Sequence, residues 1–362
     1  MAEKENIGIH DKRLEVKTSI NEPDILFRDV RDCAVDIYGF SDVFPVFRRI
    51  PEKDAARVNS MIEVASRKAC GGRLRFATDS RYVALRAVEP LKCGYPHMSF
   101  LGVAGFDMYV QKGDQETYWG SFIPPLDMED SFESVLYFPD AKMREITIYF
   151  PLYTRVSKVE LGLQEQAQLK PGRKYRINKP VVLYGSSITQ GACASRPGNS
   201  YSATLSRWLD FDFINLGFSG RALGESEMAQ YLASLDASAF LLDYDANAPD
   251  VAHLQATHSN MYQIIRNAHP NTPIIFISGT PKASWDTPEE EQIQRENVVL
   301  HTFEEAKSAG DNQVWMVKGQ EIFAAFGGGS CLVDGAHPND LGFYAMAKAI
   351  APVLREALES RG

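Results

Sequence analysis

KPVVLYGSSITQGACASRPGNSY, residues 179–201, decides how the chain is read. Val181 to Tyr184 form a short apolar run dense enough for a strand buried on both faces, and the run stops at Gly185. Gly185, Ser186, Ser187 and Thr189 then supply hydroxyls and a permissive backbone where the chain must swing from strand to helix, and Gly191 allows a second sharp bend. A turn of this kind at the carboxyl end of a parallel strand is where open α/β sheets place their chemistry. On these residues alone three readings stay open: a nucleophile at Ser187, a serine-rich turn with no chemistry, and a phosphate cradle. The cradle lacks a Lys after its glycines and the full G-x-x-x-x-G-K-[ST] pattern.

Downstream, strands alternate with helical segments. VVLYG, FINLG, AFLLDYD, PIIFISG and QVWMVK read as strands, and the segments near 199–209, 225–234, 254–267, 287–309 and 340–358 read as helices. The last carries Ile350, Val353, Leu354, Ala357 and Leu358 at core spacing, with a kink expected at Pro352. This alternation predicts a three-layer α/β/α domain around a parallel sheet. Upstream the pattern differs. GRLRFATDS, YVALRAVEP, FDMYVQKG, ESVLYFP, REITIYFPLY and SKVELGLQ are rich in β-branched and aromatic residues at the spacing of an antiparallel sandwich, with one helical turn near Asp54 to Val58. Residues 164–179 are polar, carry Pro171 and Gly172, and read as the linker. The expected division is a jelly-roll-like β-sandwich over 1–166 and the α/β domain over 175–362.

At 362 residues the chain suits two domains, and 44% apolar with 23% charged residues is a globular composition. No apolar run approaches the ~20 residues of a membrane helix. A net charge of −9 without clustered Lys and Arg argues against a nucleic-acid partner. Cys33, Cys70, Cys93, Cys193 and Cys331 are scattered and free of C-x-x-C spacing, which favours reduced thiols over a disulfide framework or zinc site. With a charged N-terminal segment where a secretory peptide would be apolar, the expectation is a cytoplasmic protein.

A serine hydroxyl needs a base to take its proton, and the base needs an acceptor that fixes its tautomer. In VDGAHPND, Asp334 and His337 stand three residues apart, and Pro338 biases them onto a loop ahead of the final helix. Alone the pair also fits a surface Asp capping that helix. NLGFSG and DYDANAPD end the next two strands on the same sheet edge as Ser187, so Gly220 and Asn247 can meet it in one crevice. The Gly220 N–H, the Asn247 amide and the Ser187 N–H are the candidate donors for an oxyanion.

In chain order, Gly185-Ser186-Ser187, Gly220, Asn247 and Asp334-x-x-His337 resemble the four blocks of the SGNH (GDSL-type) hydrolase family. YGSSITQGACASRPGNSY is similar to the subgroup in which a β-sandwich precedes the hydrolase domain, a subgroup with carbohydrate-type esterases and an acyltransferase of polyketide tailoring. The resemblance implies Ser187 as nucleophile, His337 as base, Asp334 as its orienter, and Ser187 N–H, Gly220 and Asn247 as the oxyanion hole, with no metal or organic cofactor. It implies a small-molecule or carbohydrate ester as substrate, and hydrolysis or acyl transfer as the reaction. Two departures stand out: Ser186 replaces the usual Asp before the nucleophile, and the usual G-x-N-D block reads DANA around Asn247. A binding protein with a decayed site is therefore a third reading. The near match of Gly185-x-Ser187-x-Thr189 to G-x-S-x-G points to the α/β-hydrolase fold, but there the acid and His sit on separate loops.

Arg196, Tyr244 and Trp285 are candidate substrate contacts, with loop bracing or core packing as the competing readings. Cys193 reads as a buried thiol in preference to a pocket wall. His253 and His258 read as exposed helix residues, since their spacing is not that of a helical metal pair. The sandwich is expected to overhang the crevice.

Overall fold

A computed structural model describes residues 19–88, 94–283 and 287–360. The N-terminal half contains β1 (Ile25–Asp29), β2 (Asp36–Tyr38), α1 (Glu52–Val58), α2 (Ser60–Ala65), β3 (Arg73–Thr78), β4 (Tyr82–Val88), α3 (Phe100–Ala104) and β5 (Phe106–Lys112). It continues with β6 (Gln115–Phe122), β7 (Ser131–Tyr137), β8 (Arg144–Tyr149), β9 (Lys158–Gln164) and β10 (Leu169–Pro171). Two antiparallel sheets result, ordered β1-β9-β4-β7 and β10-β3-β8-β5-β6, with β2 also on β3. Leu74, Phe76, Val83, Leu85, Met108, Ile146, Ile148 and Leu161 fill the space between them, as alternation along half-buried strands requires. The helices α2 and α3 were not expected. The linker reading is corrected as well: β10 lies inside 164–179 and pairs with β3, Leu169 opposite Thr78.

The C-terminal half runs β11 (Ile177–Gly185), α4 (Ser187–Gln190), α5 (Tyr201–Leu209), β12 (Phe211–Gly217), α6 (Ser226–Ala233), β13 (Ala239–Asp243) and α7 (Val251–Ala268). It ends with β14 (Ile274–Ile277), α8 (Glu289–Ser308), β15 (Val314–Val317) and α9 (Asp340–Glu359), which continues through Pro352. All five strands are parallel, in the order β12-β11-β13-β14-β15. Successive residues serve opposite faces: Val181, Leu183, Leu241 and Ile275 pack with α5 and α9, while Val182, Tyr184, Leu242 and Phe276 pack with α6, α7 and α8. Burial on both sides produces the continuous apolar runs seen in the sequence.

β12 is an edge strand, and the sandwich half closes it. The Arg49 guanidinium donates to the carbonyls of Asn215 (3.0 Å) and Gly217 (2.7 Å), and Arg73 donates to that of Phe213 (3.1 Å). These alternate carbonyls face away from β11, so the two arginines satisfy the row of acceptors that an open edge would present. Arg73 also pairs with Asp212 and lies 3.9 Å over the Phe213 ring. No helix among the described residues is long and apolar enough to cross a membrane.

Candidate active site

Gly185, Gly217 and Asp243 stand level at the ends of β11, β12 and β13. The strand order reverses between β11 and β13, so the turns leaving these ends border the crevice of an open α/β sheet. A Cβ on Gly185 would fall 2.1 Å from Thr189 Oγ1 and 2.2 Å from the Asp243 carbonyl, so the backbone folds back against β13 only because the side chain is absent. Ser186 N–H donates to that Asp243 carbonyl (3.1 Å), and Ser186 Oγ caps α4 by accepting from Ile188 N–H (3.1 Å). Ser186 thus has a local bracing role where the family usually has Asp. Thr189 and Tyr201 donate to the buried Asp243 carboxyl at 2.9 and 3.1 Å, fixing the far side of the turn.

Ser187, 7% exposed, lies with its Oγ 2.9 Å from His337 Nε2. His337 Nδ1 lies 2.8 Å from Asp334 Oδ2, and the backbone N–H groups of Ala336 and His337 donate to Asp334 Oδ1 at 3.1 and 2.8 Å. The tautomer with its proton on Nδ1 satisfies both ring nitrogens and leaves Nε2 free to accept from Ser187. Burial alone would raise the Asp334 pKa. The N–H and ring of His337, with Ala336 N–H, outweigh it and hold the carboxyl at about 2.

The turns after β12 and β13 carry the other two expected donors, Gly220 and Asn247. Gly220 has φ of +66°, and a Cβ there would meet nothing within 4 Å, so its backbone faces open volume. Asn247 Oδ1 accepts weakly from Ala222 N–H (3.4 Å), tying the turn after β12 to that after β13 and turning Nδ2 the other way. Among the described residues no acceptor is present for Gly220 N–H, Ser187 N–H or Asn247 Nδ2. Gln190 steadies the arrangement: its Oε1 accepts from Ser219 N–H (3.1 Å) and its Nε2 donates to Leu152 O (3.0 Å) in the sandwich half.

Other candidates are placed differently. Arg196 donates from Nη1 to the buried Asp107 (2.9 Å) and to the Tyr109 hydroxyl, and its guanidinium lies 3.9 Å over the Tyr118 ring, so it braces the two halves. Tyr244, 1% exposed, packs between Tyr184 and His258 and donates to Thr257 Oγ1 (3.2 Å), a core residue and not a stacking platform. Trp285 lies outside the described residues. His258 is buried, not exposed as expected: its Nδ1 meets Thr302 Oγ1 at 2.9 Å, and burial lowers its pKa to about 4. His253 Nε2 is 2.7 Å from Leu223 O.

Cys193 is buried as expected, but it also borders the site. Its thiol lies with His97, Asp334 and His337 in one cluster, and burial, with the Asp334 charge, pushes its pKa up to about 12. His97 was missed by sequence reasoning. It comes from the segment before α3 in the sandwich half, and its Nε2 stands 3.9 Å from Asp334 Oδ2. The sandwich therefore does reach the crevice.

A parallel α/β domain with Ser, His and Asp gathered at its switch point is the architecture of a serine-esterase class. The profile of the GDSL-like lipase/acylhydrolase family matches residues 178–355, and that of the N-terminus of SGNH-hydrolase-type esterases matches residues 25–169. The chain belongs to this family of SGNH (GDSL-type) hydrolases, in the group with an N-terminal β-sandwich domain. A solved structure described as a GDSL-like lipase from Bacteroides ovatus is 26% identical, with a TM-score of 0.84 over 92% of this chain and 98% of its own. The salicylyl-acyltransferase SsfX3 of a tetracycline biosynthetic pathway shares the fold at 20% identity, with a TM-score of 0.75 over 93% and 98% of the two chains. A family two carbohydrate esterase from Cellvibrio japonicus shares it at 14% identity, with a TM-score of 0.58 over 92% and 98%. A search of curated protein sequences gave no match.

Proposed function

We propose that the chain is a serine carboxylic-ester hydrolase that works through an acyl-Ser187 intermediate and removes short acyl groups from carbohydrate or similar hydroxyls. The observation that carries this reading is the continuous relay from Ser187 Oγ to His337 Nε2 (2.9 Å) and from His337 Nδ1 to Asp334 Oδ2 (2.8 Å). Ser187 Oγ attacks the ester carbonyl as its proton passes to Nε2, and Asp334 stabilises the imidazolium without itself taking a proton. The N–H groups of Ser187 and Gly220 and the Asn247 amide receive the developing oxyanion. His337 then gives the proton to the leaving alcohol, and water repeats the sequence to free the acid.

The carbohydrate side of the reading is supported by the fold shared with family two carbohydrate esterases. Ser187→Ala is expected to lower turnover of p-nitrophenyl acetate by roughly 10⁴-fold or more, and to abolish labelling by a fluorophosphonate. A variant that retained turnover would end the proposal, and a wild-type chain that resisted labelling would favour a binding protein. Adding acceptor alcohols decides between water and acyl transfer: acylated acceptor formed at the expense of free acid moves the assignment to a transferase.

A further inference from the structure

The proposed ester chemistry leaves two side chains at the crevice without a task. Cys193 follows the turn after α4 with φ of +70°, a left-handed conformation that a non-glycine residue rarely adopts, and its Sγ is aimed at the His97 carbonyl at 3.7 Å. His97 extends from the sandwich half over the Asp334 loop, its ring 5.9 Å from that of His337. One donor atom from each of His97, Cys193, Asp334 and His337 lies within 4.8 Å of the other three. A tetrahedral ion with bonds of about 2.0–2.3 Å holds its donors roughly 3.3–3.8 Å apart, and His97 Nε2 to Asp334 Oδ2 is already 3.9 Å. Side-chain rotations of about 1 Å close the rest.

We propose that these four residues form a zinc site whose occupancy switches the esterase off. Two imidazoles, a thiolate and a carboxylate suit Zn²⁺, whereas Mg²⁺ and Ca²⁺ select sets made only of oxygen. The charges close: the ion displaces the Cys193 proton to solvent, and the thiolate and the Asp334 carboxylate neutralise its two positive charges. Either ring nitrogen of His337 serves to inactivate. Bound through Nε2, the metal occupies the lone pair that would accept the Ser187 proton. Bound through Nδ1, it displaces the hydrogen bond to Asp334 and moves the ring proton to Nε2, which then cannot act as base. The site has its own donor geometry, while the switch rests on the ester reading above.

The test uses the full chain, stripped of metal and titrated with Co²⁺. The expected result is one ion per chain with a thiolate-to-cobalt charge-transfer band that Zn²⁺ displaces and Cys193→Ser abolishes. His97→Ala is expected to weaken binding about tenfold or more. Turnover of p-nitrophenyl acetate is expected to fall in step with occupancy and return on adding a chelator. An active chain with no Cys193-dependent band, or one that keeps full turnover when saturated, overturns the proposal. A metal-free chain that gave the band but hydrolysed no ester would remove the ester reading and leave the metal site standing.

Discussion

Asp243 sits behind the Ser187 turn in surroundings that favour its neutral form. Burial pushes its pKa up to about 8, the charge of Asp245 adds to this, and the hydroxyls of Thr189 and Tyr201 offset only part. The native state therefore keeps a proton that the unfolded chain releases near pH ~4. Stability falls as pH rises from that point to about 8 and levels off above it, at up to ~1.4 kcal/mol per pH unit. Asp243→Asn retains an oxygen for both hydroxyls and is expected to flatten the fall, measured as the difference in urea midpoints between wild type and variant across that range. An unchanged slope would assign the effect elsewhere. Asp334, by contrast, held at about 2, stays ionised wherever the protein is assayed. Asp334 is thus expected to add no step of its own to the acid limb of kcat/KM above about pH 3, and a limb that reported two protons there would contradict its place in the relay.

At the level of elements, the turn after β12 depends on Arg49. This fully buried cation has no carboxylate partner among the described residues: it donates to Asn215 and Gly217 on β12, and to Ala65 (2.8 Å) and Lys68 (2.9 Å) in its own half, while lying 4.5 Å over the Phe218 ring. Four carbonyls around one planar fork is a geometry that Lys cannot reproduce. Arg49→Lys is expected to destabilise by about 2 kcal/mol or more and to lower kcat, since Gly217 leads directly to Gly220. Equal melting and equal kcat in the variant would refute this. The same element shows why the sequence was only partly legible. β11 to β15 were readable because burial on two faces writes unbroken apolar runs, and the Asp334–His337 pair because its contact is local. β6 was not, because its outward residues Gln115, Thr117 and Tyr118 are exposed and dilute the strand pattern. Arg49, His97 and the second role of Cys193 arise from chain segments far apart in sequence, and nothing in their local composition marks them.

On the scale of the whole molecule, the sandwich is bound into the hydrolase half by buried cations, by Arg196 on Asp107, and by Gln190 on Leu152. Expressed alone, residues 175–362 would lack Arg49 and Arg73 and present the carbonyls of Phe213, Asn215 and Gly217 on an uncovered edge. That fragment is expected to self-associate or precipitate, as read by light scattering, and a stable active monomer would refute the expectation. Sealing of the sheet margin and bordering of the Ser187 crevice are thus tasks of one module, Arg49 doing the first and His97 standing at the second. A graft of some other sandwich onto this hydrolase would have to match both contacts at once, so the two halves are constrained to change together.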